Sequence, residues 1–147
     1  MPTKRLLDWN ERLQALVQER TKAPFVWGQH DCSLWAADCI LALTGEDLAC
    51  SYRGKYTSAK SALRLIKASG PFRQPVDIFD FVLGERRHRA MAKLGDIVAL
   101  EGSDVVPGMG MAMGLCYGAH SLFVGSSAGG DGLVRVDTLE VTHCYWV

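Results

Sequence analysis

The sequence lacks a net charge, because its 147 residues carry 16 basic and 16 acidic side chains. This balance excludes a strong long-range attraction to nucleic acid phosphates or to an anionic membrane. A long apolar run is also missing, since Lys4, Arg5 and Asp8 interrupt the first apolar residues. That interruption argues against a signal peptide, and no other stretch is long and apolar enough to cross a membrane. We therefore expect no nucleic acid partner, no membrane span and synthesis in a cytoplasm.

Paired cysteine motifs are absent as well. The five cysteines are Cys32, Cys39, Cys50, Cys116 and Cys144, and none forms a C-x-x-C pair. An odd number without close pairs argues against a disulfide framework and against a zinc site. We therefore expect no metal, no cofactor and a reducing compartment. Apart from Cys32, we expect these cysteines to be small buried apolar residues.

The length predicts one domain over residues 1–147. The first two thirds favour helices, because apolar residues recur there at helical spacing between capping residues. The last third favours short strands between glycine-rich turns. The predicted helices cover 6–18, 32–43, 58–68, 76–83 and 86–93, and the predicted strands cover 97–100, 112–117, 121–124, 132–136 and 141–147. This order predicts an α+β fold, with N-terminal helices packed on a small C-terminal antiparallel sheet.

The most informative segment is the one that leads into the second predicted helix. Asp31 is a good N-cap, Cys32 occupies the first turn, and Gly45 ends the apolar periodicity. A thiol at this place lies at the positive end of the helix dipole, which favours the thiolate. The pattern therefore predicts an activated thiol. The alternative is that Cys32 is a buried packing residue.

Three features together carry a family resemblance: the aromatic-Trp-Gly-x-x-Asp-Cys-Ser motif within residues 25–33, the strand over 95–98 and the strand over 113–118. Their order resembles the NlpC/P60 superfamily, papain-like enzymes that cleave peptide bonds in bacterial cell-wall peptides. Nearly the whole chain also resembles a group of small phage and prophage proteins encoded among tail genes. That likeness rests on Pro24-Phe25-x-Trp27-Gly28-x-His30-Asp31-Cys32, Gly45-x-Asp47, Arg53-Gly54-x-Tyr56, Gly132-Leu133-Val134 and Trp146-Val147. The resemblance implies a papain-like NlpC/P60-type fold.

The resemblance also implies a site with three roles. Cys32 takes the position of the nucleophile, with a nearby backbone N–H as the oxyanion site. The family's His-Val-Gly-Ile-Tyr-x-Gly pattern falls on residues 112–118, so Ala112 stands where the base is expected. The third role, which orients the imidazole, falls near 124–126, where no histidine stands. The chain thus keeps the position of the nucleophile and lacks the base.

Other histidines are poor substitutes for that base. His120 lies at a predicted hairpin turn, about 20 Å along the strand from the base position. His30 is a weak candidate base, because a side chain two residues from Cys32 rarely reaches the in-line position. His88 and His143 receive no predicted position. Since general base assistance is worth about 10²–10⁴-fold, its loss disfavours catalysis.

Binding candidates lie around the same segment. Trp27 and Trp35 either line a cleft or belong to the core. Arg53, Lys55 and Tyr56 form a predicted exposed polar-aromatic loop that either contacts a ligand or is plain surface. From these we select Trp27, Arg53 and Tyr56 as candidate binding residues.

Two features near the C-terminal half have structural interpretations. The basic cluster within 86–93 is either a solvated helix face or a contact with a partner. We expect Asp96 to fix the turn before a strand, and Trp146 to be an apolar plug for the sheet.

The favoured functional expectation is a structural component of a bacteriophage tail, in the tail-tip or baseplate region, with a degenerate NlpC/P60-like fold. Its partners are then other tail proteins, and its location is the virion, assembled in the host cytoplasm. The alternative is an active cysteine endopeptidase or amidase that cleaves cell-wall peptides during infection, with Cys32 as nucleophile. A third possibility is a non-catalytic binder of peptidoglycan peptides that uses a tryptophan-lined cleft.

Overall fold

The computed structural model describes residues 4–101, 110–125 and 132–147. Within these residues four helices precede a five-stranded sheet. The helices are α1 (Trp9–Arg20), α2 (Cys32–Thr44), α3 (Ala59–Ser69) and α4 (Pro75–Leu83), and the strands are β1 (Ile97–Leu100), β2 (Ala112–Cys116), β3 (His120–Val124), β4 (Leu133–Asp137) and β5 (His143–Tyr145). The predicted α+β class is confirmed.

Local capping chemistry sets the ends of α2 and α3. The Asp31 carboxylate accepts a hydrogen bond from the Leu34 N–H, and Gly45 ends α2 with a left-handed φ of 82°. Ser58 caps α3 and exchanges hydrogen bonds with Ser61. The predicted limits of both helices are therefore correct to within about one residue.

The first helix begins later than predicted, at Trp9 instead of Leu6. The Leu6 N–H donates to the Leu43 carbonyl at 2.7 Å, so it satisfies one of the open carbonyls at the end of α2. This tertiary contact holds the residues before Trp9 outside α1.

The sheet is antiparallel throughout, with the order β4-β3-β2-β1-β5. α2 packs on one face of it, where Trp35 is fully buried and its indole N–H donates to the Leu122 carbonyl at 3.0 Å. Met113 and Leu115 belong to the same core cluster as Trp35. This packing fixes α2 against β2 and β3, the strands at the centre of the candidate site.

The segment 86–93 is not the predicted helix. Only Arg89–Met91 forms a short 3₁₀ turn. Arg87 instead pairs with Cys144, because each backbone N–H donates to the other's carbonyl, at 2.8 and 2.9 Å. Pairing with an edge strand requires extended backbone, and this long-range contact overrides the local helical pattern.

Two further predictions about single residues are wrong. Trp146 is 37% exposed and lies against the cations of Arg87 and Lys93, so it is not a buried plug. Cys50 is exposed in the loop after α2, whereas the other four cysteines are buried.

Asp96 fixes the turn before β1, as predicted. It is buried, and its carboxylate accepts hydrogen bonds from the backbone N–H groups of Lys93 and Val147 and from the Arg5 guanidinium. In the described part of the chain, no helix is long and apolar enough to cross a membrane, and no cluster of side chains could hold a metal ion.

Candidate functional site

The Cys32 thiol lies at the first turn of α2 against the beginning of β2. Its side chain is almost fully buried, with 1% of the residue exposed. The sulfur lies 3.8 Å from the Ser33 Oγ, and the Met113 backbone donates a hydrogen bond to it. The residue at the expected position of the nucleophile, Cys32, is therefore closed to solvent.

Burial determines the ionisation of this thiol. Loss of hydration and the neighbouring Asp31 carboxylate raise the pKa of Cys32 to about 11, although hydrogen bonds from Met113 and Ser33 act in the opposite direction. The prediction of an activated thiol is therefore wrong. The helix dipole favours the thiolate, but desolvation and the charge of the N-cap outweigh it.

The residues of the Trp-Gly-x-x-Asp-Cys motif build the start of α2. One Asp31 oxygen accepts from the Leu34 N–H at 3.0 Å, and the other accepts from the Gly28 N–H at 3.0 Å and from the Tyr56 hydroxyl at 2.5 Å. Gly28 has a φ of 78°, and a Cβ there would lie 2.2 Å from the Tyr56 carbonyl oxygen. The motif thus has a complete structural explanation that requires no catalysis.

Ala112 is the first residue of β2 and is 1% exposed. It belongs to the same buried apolar cluster as Cys32. The position that the resemblance assigns to a base is therefore occupied by a methyl group in the same buried cluster as the thiol. A methyl group cannot accept a proton.

His30 is directed into a polar network instead of being bonded to the thiol. Its Nδ1 lies 3.1 Å from an Arg20 guanidinium nitrogen, which also donates to Asp38 at 2.7 Å. Since arginine can only donate, Nδ1 is the acceptor and is unprotonated. Burial and the charge of Arg20 lower the pKa of His30. Among the described residues no hydrogen bond joins His30 to Cys32, and His30 Nε2 is buried without a partner.

The register of the sheet places His143, which the sequence could not do. His143 pairs with Ala99, and Ala99 pairs with Met113. Paired residues project to the same face, so His143 shares the α2 side of the sheet with Met113 and lies about 10 Å from it, two strand spacings away. Its ring packs edge-on against Tyr145, with 5.0 Å between centroids.

The remaining histidines lie elsewhere. His120 is exposed at the β2–β3 turn, as predicted, and contacts Arg135. His88 is exposed, and its Nδ1 accepts from the Ala90 N–H at the 3₁₀ turn. Within the described ranges, no imidazole forms a hydrogen bond with the Cys32 sulfur.

The predicted exposed loop is largely internalised. Tyr56 is only 8% exposed because its hydroxyl binds Asp31. Arg53 is half-buried and binds both Asp38, at 2.7 Å, and Asp47, at 3.0 Å. Carboxylates hold these two side chains against the protein, so the expectation of an exposed loop is wrong for both.

Trp27 is half-buried. Its ring packs edge-on against Phe25, at 4.9 Å between centroids, and against Tyr56, at 6.5 Å. It therefore belongs to an aromatic cluster with these two rings.

An apolar cavity along α2 was missed from the sequence, because its walls come from α2, α3, α4 and the loop after α2. Its volume is about 50 Å³. It is lined by Ser33, Leu34, Ala37, Leu48, Ala49, Tyr52, Tyr56, Ala62, Ile66, Pro75, Ile78, Phe79 and Val82. The third predicted role cannot be placed: Val124 is core, whereas Ser126 lies outside the described residues.

Solved mycobacterial structures are similar to this chain. RipD from Mycobacterium tuberculosis, described as a non-catalytic NlpC/p60 domain protein adapted to a peptidoglycan-binding function, is 18% identical, with 97% of this chain and 99% of that chain covered and a TM-score of 0.47. The P60 domain of antigen MAP1204 from M. avium subspecies paratuberculosis is 15% identical, with 95% and 96% covered and a TM-score of 0.45. The M. tuberculosis peptidoglycan hydrolase RipB is 17% identical, with 95% and 66% covered and a TM-score of 0.45.

No curated protein matches the chain in sequence. A family model matches nearly the whole chain, residues 4–147. By that match the chain belongs to the family described as a domain of unknown function, DUF6950.

Proposed function

We propose that this chain is a non-catalytic protein with a degenerate NlpC/P60-type site, which acts through protein contacts as a component of a bacteriophage tail near its tip. One observation carries the non-catalytic part. The Cys32 thiol is buried in the same apolar cluster as Ala112, and its pKa is raised to about 11.

The chemistry of acyl transfer explains why this arrangement disfavours hydrolysis. A cysteine attacks as the thiolate, and four pH units below its pKa about one thiol in 10⁴ is ionised. A partner base normally compensates by taking the proton, and the methyl group of Ala112 offers none. A sulfur with 1% of its residue exposed also cannot approach the carbonyl of a polymeric substrate.

The tail assignment is supported by the full-length resemblance to small proteins encoded among phage tail genes. Other tail proteins are then its partners, and the virion is its location after assembly in the host cytoplasm. The test is quantitative mass spectrometry of purified tails. We expect a fixed copy number for each tail, and its absence from intact infectious tails would contradict the assignment.

The alternative, an active cysteine endopeptidase or amidase that cleaves cell-wall peptides, is favoured by one observation. His143 lies on the α2 face of the sheet, in register with Met113, whose backbone binds the thiol. This alternative requires a rearrangement that brings the imidazole to the sulfur. It predicts that Cys32→Ala and His143→Gln each abolish peptidoglycan hydrolysis by assembled particles, with His120→Gln as the unaffected control. Our proposal predicts equal hydrolysis by wild type and all three variants.

A further inference from the structure

Segment 86–93 and the C-terminus form a surface that the proposed function leaves unexplained. The Arg87 guanidinium lies 3.5 Å from the centroid of the Trp146 ring, and the Lys93 ammonium lies 4.6 Å from it. The Trp146 indole N–H donates to the carbonyl of Met91, which is 50% exposed. We call the side chains of Arg87, Arg89, Met91, Lys93 and Trp146 the Trp146 surface.

The cations of this surface form few close ion pairs, although Lys93 interacts with the buried Asp96 carboxylate over a longer distance. Arg87 is 3.9 Å from Glu85, a loose and exposed contact. Within the described ranges, the Arg89 guanidinium donates to the Val141 carbonyl, at 3.4 Å. Among the described residues, neither Arg89 nor Lys93 has a carboxylate within ion-pair distance. A chain with no net charge therefore concentrates positive charge here.

The apolar part of the surface is held in place. Two cations pack against the Trp146 ring, and its N–H is bonded, so little side-chain entropy remains to be lost on binding. Tryptophan, methionine and arginine are enriched in the cores of protein interfaces, and tryptophan and arginine are frequent hot spots. Both the composition and the order of this surface fit a protein contact.

We propose that the Trp146 surface is a docking site for an acidic protein segment, which sets carboxylates against Arg87, Arg89 and Lys93 and an apolar side chain against Trp146 and Met91. Charge complementarity selects the acidic partner. A nucleic acid fits this surface less well. Phosphate binding uses a longer row of cations, and it would leave the exposed Met91 without an apolar partner.

This inference goes beyond the proposed function and does not depend on it. The surface follows Tyr145, which pairs with Ile97 at the start of β1, whereas Ala112 pairs with Leu100 at the other end of that strand. The docking site and the Cys32 site therefore lie at opposite ends of the sheet. Either a hydrolase or a non-catalytic protein could carry this docking site.

The experiment titrates the full chain with a short synthetic peptide in which glutamates alternate with leucines. Calorimetry measures the affinity, and the ¹H–¹⁵N signals of the four tryptophan indoles report the place of binding. We expect binding that weakens with added salt and shifts the Trp146 signal but not that of buried Trp35. We expect Arg89→Glu/Lys93→Glu to lose at least about tenfold in affinity, and Arg89→Gln/Lys93→Gln to lose less.

The matched control is Arg64→Glu/Lys67→Glu on the exposed side of α3, which makes the same change in net charge. It should bind the peptide like wild type, and thermal unfolding should show that all three double variants are folded. Equal losses in both charge-reversed proteins, no binding at millimolar peptide, or equal binding of a peptide with glutamine for glutamate would overturn the proposal. Preferential binding of duplex DNA over the peptide would also overturn it.

Discussion

Asp31 connects the sequence motif to the state of the thiol at the scale of single residues. Its carboxylate caps α2, holds Gly28 and receives the Tyr56 hydroxyl, so three separate donors converge on one buried side chain. The same negative charge raises the pKa of Cys32. The residue that orders the helix start thus also disfavours the thiolate.

The hydroxyl of Tyr56 provides the first prediction. Tyr56→Phe removes a buried hydrogen bond to a charged acceptor, so the free energy of unfolding should fall by about 1.5–3 kcal/mol in urea denaturation. Tyr52→Phe is the matched control, because its hydroxyl bonds Ser69 at an exposed site and should cost less than about 0.5 kcal/mol. Equal costs for the two variants would contradict the role assigned to Asp31.

The second prediction concerns His30. Because burial and Arg20 lower its pKa, the folded protein resists protonation, whereas the unfolded chain takes up a proton with an ordinary pKa near 6.5. Its contribution to stability is therefore complete above that pH and is lost as the pH falls through the folded-state pKa.

Urea denaturation at pH 7 and at pH 5 tests this contribution. Wild type should lose more stability between the two values than His30→Gln does, because glutamine does not titrate. The control variant His120→Gln, which is changed at an exposed turn, should lose as much stability between pH 7 and pH 5 as wild type. A pH dependence that survives unchanged in His30→Gln would contradict the account of the Arg20–His30 contact.

At the scale of elements, local signals predicted α2 and α3 well. Asp31, Gly45 and Ser58 act within one turn of their helices, so the sequence alone reveals their effect. Segment 86–93 could not be predicted in this way, since its conformation depends on pairing with Cys144 more than fifty residues away. The same limit applied to His143, whose position follows only from the β1–β5 pairing.

The turn before α2 provides the third prediction. Gly28→Ala would place a Cβ against the Tyr56 carbonyl and would also strain a positive φ. The free energy of unfolding should therefore fall by more than about 2 kcal/mol. Gly54→Ala is the control, because Gly54 has a φ of 71° but open surroundings. This substitution should lower the free energy of unfolding by about 1–2 kcal/mol. Equal destabilisation of both variants in urea would show that Gly28 is required only for its backbone angle.

At the scale of the whole molecule, the resemblance assigned positions to the site but gave no information on their environment. The juxtaposition of Cys32 and Ala112 followed from the resemblance, and both residues do lie in one buried cluster. The closure around the thiol could not be predicted, because Tyr56 reaches Asp31 across 25 residues and the Met113 backbone comes from the sheet. These contacts convert a helix-start cysteine into a protonated core residue.

Alkylation of the native protein tests this closure most directly, because Cys50 is an exposed cysteine in the same chain. Iodoacetamide at pH 7, followed by peptide mass spectrometry at successive times, measures the two labelling rates. We predict that Cys50 is labelled first, and that Cys32 is labelled only as the chain unfolds in urea. Labelling of Cys32 ahead of Cys50 in the folded protein would show an accessible, activated thiol and would contradict the non-catalytic account.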